Sequence, residues 1–134
     1  VASWSKIPCR VDLMKKHKKV VIIADEAHNL QNLDSQRTQN FLKLSGGHTG
    51  WCVAISLLTG TPAKNGRPSN LFPLLKAAGH HLAGDQRGFE SRYCGGRKTQ
   101  WCPWDISGAT HLKELHDRTA DAIYRELSHI LPLP

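Results

Sequence analysis

The sequence lacks the features that would place it among membrane, fibrous or repeat proteins. Its longest unbroken apolar stretch is about five residues, whereas a membrane-spanning helix needs ~20, so we exclude an integral membrane protein. It contains no visible internal repeat, heptad pattern or low-complexity segment, which excludes repeat arrays and coiled coils. It opens on Val1 without a secretory signal pattern and without Met, so we expect a piece of a longer protein.

The cysteines also lack a recognisable pattern. No CxxC pair links the four of them, which are Cys9, Cys52, Cys94 and Cys102. Their spacing matches neither a zinc ribbon nor a compact disulfide framework, and it fits a reducing compartment. A zinc site built from Cys94, Cys102 and the pair His80-His81 remains a weaker alternative.

Positive charge, by contrast, is in excess. The 134 residues carry a net charge of +7, with 40% hydrophobic and 22% charged residues, which is typical of one globular domain. Residues 1–67 hold ten Lys or Arg against four Asp or Glu. A basic balance suits a polyanion such as nucleic acid. The dense run Lys15–Lys19 is explained at least as well by a solvated turn.

Two short apolar runs predict buried parallel strands. Residues 20–24 and 53–58 are rich in β-branched and aliphatic side chains without polar alternation, which is typical of strands covered on both faces. Residues 34–44 read as a helix between them, followed by the Gly-rich break Gly46–Gly50. Strand, helix, turn and strand together predict a βαβ unit.

The second half of the chain predicts a helical region. Ser69 or Asn70 is expected to cap a helix that has Pro73 near its first turn and ends at Gly79. Further helices are expected at about 85–94 and 110–131, separated by an irregular segment. The fold class is therefore α/β, with a thin parallel sheet, flanking helices and a helical tail.

Acidic residues follow directly on the first predicted strand, in what we call the acidic motif (Asp25-Glu26-Ala27-His28). Ligands of open α/β sheets bind at the carboxyl ends of the strands, and adjacent carboxylates there favour a cation such as Mg²⁺ on a nucleoside triphosphate. Asp25 would hold the metal, usually through water, and Glu26 would polarise the water that attacks the γ-phosphorus. The alternative is that both acids cap the next helix and face solvent.

The second strand ends in a comparable polar segment, which we call the hydroxyl motif (Thr59-Gly60-Thr61-Pro62). Gly60 allows close backbone approach. If the strands are neighbours, Thr59 or Thr61 should lie within reach of Glu26 or His28. A Thr/Gly/Pro turn at a strand end is also common, but the two motifs on successive buried strands are more specific together than apart.

The acidic motif and Leu58–Pro62 with Asn65 resemble the second and third helicase motifs of superfamily-two ATPases, most closely the Swi/Snf group of DNA translocases. Leu71–Leu75 resembles the helix that follows the third motif. Phe89–Cys94 and Trp104-Asp105 resemble the annealing-helicase (fork-remodelling) subgroup and its bacterial and phage relatives. The similarity runs from about residue 20 to residue 134.

This resemblance implies the C-terminal part of the first RecA-like (P-loop NTPase) lobe of a double-stranded-DNA translocase. Residues 1–79 would form a partial ATPase lobe, and residues 80–134 a helical extension leading to the second lobe. The resemblance implies ATP and Mg²⁺ as ligands, Asp25 as the metal ligand and Glu26 as the catalytic acid of a DEAH box. His28 is implied both to bind the nucleotide and to couple ATP hydrolysis to movement along DNA. The other residues with an implied coupling role are Thr59, Gly60, Thr61 and Asn65.

Departures from the family pattern qualify these roles. The sequence has no GxxxxGK[ST] phosphate loop, which lies upstream in the family, and no second lobe. In the last segment Tyr124 and Leu127 stand where the family usually has basic residues, while Arg125 remains. We therefore expect this fragment alone to be inactive, and a non-catalytic DNA- or protein-binding module derived from the lobe is the alternative function.

The expected partners are double-stranded or forked DNA and the missing parts of the same motor, with no membrane. The compartment would be cytoplasmic for a bacterial or phage protein and nuclear for a eukaryotic one, with DNA repair among the possible pathways. Trp101 and Trp104 could stack on bases, but we expect them to pin an irregular segment onto the domain. A DNA path and a solvated surface explain four basic residues equally well: Arg87, Arg92, Arg97 and Lys98.

Overall fold

The computed structural model describes residue 16 and the ranges 19–45 and 52–124. Its sheet consists of β1 (Val20–Ala24) and β2 (Cys52–Leu57), which pair in parallel with Ile22 opposite Ile55. Helix α1 (Gln36–Ser45) lies between them in the sequence. The prediction of two neighbouring parallel strands with an intervening helix is confirmed.

Helix α1 begins two residues later than the sequence pattern predicts. The Asp34 backbone N–H donates to Asn32 Oδ1 at 2.9 Å, so this residue belongs to a turn. The hydroxyl of Ser35 then accepts a hydrogen bond from Thr38 N at 3.2 Å. Ser35 thus satisfies one of the free N–H groups at the helix start, as an N-cap residue does.

Only one face of the sheet is covered. Ile22 and Ala24 are buried against α1 and the helix formed by Pro68–Ala78. Val21 and Ile23, by contrast, are 59% and 69% exposed. Val53 on the neighbouring strand is also 56% exposed. The expectation that both faces are buried is therefore wrong for these residues, because no described part of the chain packs against the second face.

Helix α2 (Pro68–Ala78) starts earlier than predicted. Pro68 occupies the first helical position after Arg67, where its missing N–H costs nothing and its fixed φ suits a helix. Ser69 and Asn70 are therefore inside the helix rather than caps, and Pro73 lies in its interior rather than in its first turn. The predicted stop is confirmed, because Gly79 has a left-handed φ of 75° and its N–H donates to Lys76 O.

Helix α3 (Gln86–Tyr93) agrees with the prediction, and Asp85 caps it by accepting a hydrogen bond from Gly88 N at 3.1 Å. Helix α4 (Leu112–Thr119) is much shorter than the predicted 110–131. After Thr119 the chain turns, and the Asp121 carboxylate pairs with His80 Nε2 at 3.2 Å. The predicted continuation beyond residue 124 lies outside the described residues.

Two hydrophobic clusters share helix α2. The first joins the sheet, α1 and α2 through buried residues that include Ile22, Phe41 and Leu74. The second joins α2, α3 and α4 around Phe72 and Tyr93. The helices thus brace the covered side of the sheet, and the carboxyl ends of β1 and β2 remain accessible. The proposed boundary near residue 79 stays a prediction.

Candidate functional site

The backbone adopts an unusual conformation where the acidic motif follows β1. Glu26 has φ 51° and ψ 44°, a left-handed conformation that is uncommon outside glycine and costs about 1 kcal/mol or more. Its N–H donates to Asp25 Oδ1 at 2.8 Å. Both acids are exposed, so the strand end presents two carboxylates to solvent.

A short 3₁₀ helix (Ala27–Leu30) holds the rest of the motif. Ala27 and Leu30 are completely buried and anchor this turn in the first cluster. His28 lies on its exposed side, with Nδ1 at 3.1 Å from Glu26 Oε2. The Asn29 side-chain amide donates to Glu26 O at 3.0 Å, and this contact restrains the left-handed turn. The turn therefore orients the Glu26 carboxylate beside an imidazole.

The hydroxyl motif lies at the same edge of the sheet. Leu58 N donates to Ala24 O at 2.8 Å, and Ala27 N donates to Leu58 O at 2.9 Å. The backbone of the acidic motif is thus hydrogen-bonded to the residue that precedes Thr59. The expected proximity of the two motifs is observed.

The predicted contact between the hydroxyls and the acidic motif is not observed. Among the described residues, no hydrogen bond joins the Thr59 or Thr61 side chain to Glu26 or His28. The Thr59 hydroxyl instead accepts from Thr61 N at 3.1 Å, which folds the motif onto itself. This local bond is an alternative to a hydrogen bond between the Thr59 hydroxyl and the acidic motif on the neighbouring strand.

Gln31 makes the side-chain link between the two motifs. Its Nε2 donates to Thr61 O at 2.5 Å and lies 3.1 Å from Pro62 O. Gln31 was not predicted from the sequence, because a single glutamine beyond a strand end carries no pattern of its own. Only the path of the turn from residue 27 to residue 30 brings it to the hydroxyl motif.

Gly60 and Asn65 occupy open positions in the loop after β2. A side chain at Gly60 would meet nothing within 4 Å, so no close backbone approach within this structure explains that glycine. Asn65 is exposed and has a left-handed φ of 58°, which Asn tolerates better than most residues. Coupling roles for both remain predictions.

The cysteine-containing zinc site is not assembled among the described residues. The group that brings potential ligand atoms within 4.8 Å of one another contains His80, His81 and Asp121, without a cysteine. Cys102 is exposed, whereas Cys94 is fully buried. Burial raises the pKa of Cys94 to about 11, with a further contribution from the charge of Glu90, which keeps the thiol protonated.

His80 is already engaged in hydrogen bonds at both ring nitrogens. Its Nδ1 accepts from Leu82 N at 3.3 Å, so the neutral ring carries its proton on Nε2 and donates to Asp121 Oδ1. This hydrogen bond lowers the pKa of Asp121. A metal at Nε2 would have to displace that proton, which favours a structural hydrogen bond over a metal centre at this position.

The two tryptophans of the irregular segment behave differently. Trp104 is pinned as expected: its Nε1 donates to Glu90 Oε2 at 2.7 Å, and the Arg87 guanidinium lies 3.5 Å from the ring centroid. Trp101 is 89% exposed, so the expectation that it pins the segment is wrong. Arg92 is paired with Glu114 and Arg97 Nε lies 4.0 Å from Asp105 Oδ2, while all four basic residues stay exposed.

The end of the chain is partly described. Tyr124 is 88% exposed, and the predictions for Arg125 and Leu127 concern residues outside the described ranges. Within the described ranges, the structure contains no helix long and apolar enough to cross a membrane.

Sequence comparison identifies the family of the chain. Residues 1–132 match the model of the SNF2-related domain. The chain belongs to the SNF2-related domain family. No solved structure matches it significantly.

Curated relatives of this SNF2-related chain are much longer. It is 33% identical over 115 residues to the SWI/SNF-related matrix-associated actin-dependent regulator of chromatin subfamily A-like protein 1 homolog of Caenorhabditis elegans, covering 86% of this chain and 16% of that protein. It is 32% identical over 123 residues to the DNA annealing helicase and endonuclease ZRANB3 of Bos taurus, covering 87% of this chain and 11% of the relative. The chain thus spans about a sixth or less of these proteins.

Proposed function

We propose that this chain carries part of the ATP-hydrolysing site of a DNA translocase, within the first RecA-like lobe. The observation that supports this most is the arrangement at the sheet edge, where the acidic and hydroxyl motifs end neighbouring parallel strands. The backbone hydrogen bond from Ala27 N to Leu58 O and the Gln31–Thr61 bond join them. Such an edge is where open α/β sheets bind their ligands.

The donor chemistry of the acidic motif fits Mg²⁺, which prefers carboxylate oxygens and water. Asp25 Oδ1 accepts from Glu26 N, while Oδ2 has no hydrogen bond to another described residue, so we assign Asp25 the metal-binding role. Bound Mg²⁺ would neutralise charge on the triphosphate. The proposal places the nucleotide against Asp25, Glu26 and His28.

Glu26 is the proposed general base. Its carboxylate would accept a proton from water as the water oxygen bonds to the γ-phosphorus and the bond to the ADP oxygen breaks, giving ADP and phosphate. His28, 3.1 Å from Glu26 Oε2, is placed to hold the orientation of that carboxylate. The strained φ of Glu26 supports a functional role, since such strain concentrates at active sites.

The motor activity is proposed for a longer protein. The sequence contains no GxxxxGK[ST] loop to hold the phosphates. The exposed apolar side chains Val21, Ile23 and Val53 support further elements of the same lobe packing on that face. We therefore expect the fragment alone to be inactive, with duplex or forked DNA as the partner of the complete motor and a nuclear location in a eukaryote.

The decisive experiment replaces Glu26 by Gln in the full-length protein. DNA-stimulated ATP hydrolysis should fall at least about a hundredfold, since general-base catalysis contributes typically 10²–10⁴-fold, while ATP binding is retained. Asp34→Asn, another exposed carboxylate beyond the same strand, is the matched control and should hydrolyse ATP normally. Normal turnover by Glu26→Gln would reject the proposal, and a full-length protein that binds DNA without any ATP turnover would favour the non-catalytic module.

A further inference from the structure

Trp101 stands at the tip of a tight turn with almost all of its surface in solvent. Thr99 N donates to Cys102 O at 2.9 Å, and Cys102 N donates back to the Thr99 hydroxyl at 2.9 Å. These two bonds close a four-residue turn whose central positions are Gln100 and Trp101. The indole is 89% exposed, which is unusual for the residue type with the largest apolar surface.

The turn is anchored to the domain by contacts on both sides. Arg97 and Asp105 form an antiparallel bridge below it, with backbone hydrogen bonds of 3.1 and 2.8 Å. One residue before Asp105, Trp104 is fixed between the Arg87 guanidinium and the Glu90 carboxylate. An exposed aromatic on a prearranged support loses little conformational entropy when it binds a partner.

The charge around the tip favours a polyanion as that partner. Arg97 and Lys98 are both exposed on the segment leading to the turn. The Asp105 carboxylate lies beside Arg97, with Oδ2 at 4.0 Å from Arg97 Nε, and its Oδ1 accepts from Ser107 N at 3.0 Å. The hydrogen bonds from Ser107 lower the pKa of Asp105, and the charge of Arg97 adds a smaller contribution. Aromatic rings beside cations are the elements that bind unpaired nucleic-acid strands.

We propose that Trp101 stacks on an unpaired base of the DNA, while Arg97 and Lys98 contact the adjacent phosphates. The ligand is single-stranded DNA next to a duplex, as at a fork or an open end, and this inference rests on the proposed DNA motor function. A protein surface is the alternative partner for an exposed tryptophan, but the exposed cations Arg97 and Lys98 next to the turn favour the nucleic acid.

The test measures DNA binding by the full-length protein without ATP, so that it does not depend on hydrolysis. Fluorescence anisotropy compares a fork carrying oligo-dT arms with a blunt duplex of the same stem. Trp101→Ala should weaken binding of the fork about five- to a hundredfold, as expected for one lost base stack, and should leave the blunt duplex unchanged. Trp101→Phe, which keeps a smaller ring, should retain most of the affinity.

Tyr124→Ala is the matched control, because this aromatic is equally exposed at 88%, and it should bind both DNAs as the wild type does. Lys98→Gln should reduce the slope of log affinity against log salt by about one, as for one lost phosphate contact. Unchanged fork binding by Trp101→Ala would overturn the inference, as would an equal loss on the blunt duplex. If fork binding is unchanged and a co-purifying protein is lost, the tip is a protein-binding surface. Failure of the motor proposal would show separately, as normal hydrolysis by Glu26→Gln.

Discussion

The side-chain amide of Gln31 donates a hydrogen bond to the backbone carbonyl of Thr61 at 2.5 Å, across 30 residues of sequence. This contact ties the turn after β1 to the loop after β2 without involving either carboxylate of the acidic motif. Any displacement of that turn would move the Thr61 backbone with it. In the proposed motor, Gln31 would therefore pass a change at a bound nucleotide to the loop that follows β2.

Removal of this link should uncouple hydrolysis from DNA. We expect Gln31→Ala in the full-length protein to bind ATP normally and to lose about two- to tenfold in DNA-stimulated turnover, the equivalent of one net hydrogen bond. The measurement is steady-state ATP hydrolysis with and without duplex DNA. Gln39→Ala is the control, since Gln39 Nε2 also donates to a backbone carbonyl, that of Leu33, but away from both motifs. Equal turnover by the two variants would contradict the prediction.

A second prediction concerns pH and Glu114. Hydrogen bonds from Arg92 and Tyr93 lower the pKa of Glu114 to about 2, from an ordinary value of 4.5. Because the folded state favours the ionised form, this carboxylate stabilises the fold above about pH 4.5, and the contribution is lost as pH falls towards 2. Hydrogen exchange of the α4 amides should therefore be faster in Glu114→Gln than in the wild type at pH 6–7.

The difference between the two proteins should shrink progressively as the pH is lowered from about 4.5 to about 2. Comparison at each pH removes the intrinsic pH dependence of exchange. Asp117→Asn is the control on the same helix, since its carboxylate pairs with the adjacent His116, and it should leave the protection of α4 unchanged. A Glu114→Gln effect that is constant over this range would show that ionisation is not its origin.

A third prediction tests the support of the Trp101 turn. A Cβ at Gly96 would lie 2.5 Å from Cζ2 of Trp104 and 3.1 Å from the Glu90 carbonyl carbon, closer than carbon atoms pack. Gly96→Ala should displace the Trp104 ring, break its hydrogen bond to Glu90 and reduce the free energy of unfolding by about 1–3 kcal/mol. Chemical denaturation of the full-length protein, followed by tryptophan fluorescence, measures this change.

Gly60→Ala provides the comparison for stability, because a side chain there would meet nothing within 4 Å. Its free energy of unfolding should stay within about 0.5 kcal/mol of the wild type. If Gly96→Ala is equally mild, Trp104 is not held as the structure indicates, and the Trp101 turn lacks this anchor.

Much of the sheet and of the helical framework follows from local sequence. The aliphatic runs around Ile22 and Ile55 have a strand's length and composition, and Gly79 supplies the positive φ that ends α2. The proximity of the acidic and hydroxyl motifs follows as well, because the carboxyl ends of neighbouring parallel strands share one edge.

Other features depend on contacts between distant residues, which sequence patterns do not contain. The apolar periodicity continues past Thr119, but α4 ends there, where Asp121 pairs with His80 from another part of the chain. Trp101 and Trp104 differ by three positions and have opposite environments. Gly96 leaves room for the Trp104 ring beside Glu90, whereas the turn at Thr99 directs Trp101 outward.

The exposed aliphatic residues of β1 and β2 have a practical consequence for preparing this protein. A recombinant product limited to these 134 residues would present Val21, Ile23 and Val53 to its neighbours in solution, and adjoining strands with such side chains invite self-association. Light scattering from that short product should rise with concentration, and extending the expressed region upstream should suppress it.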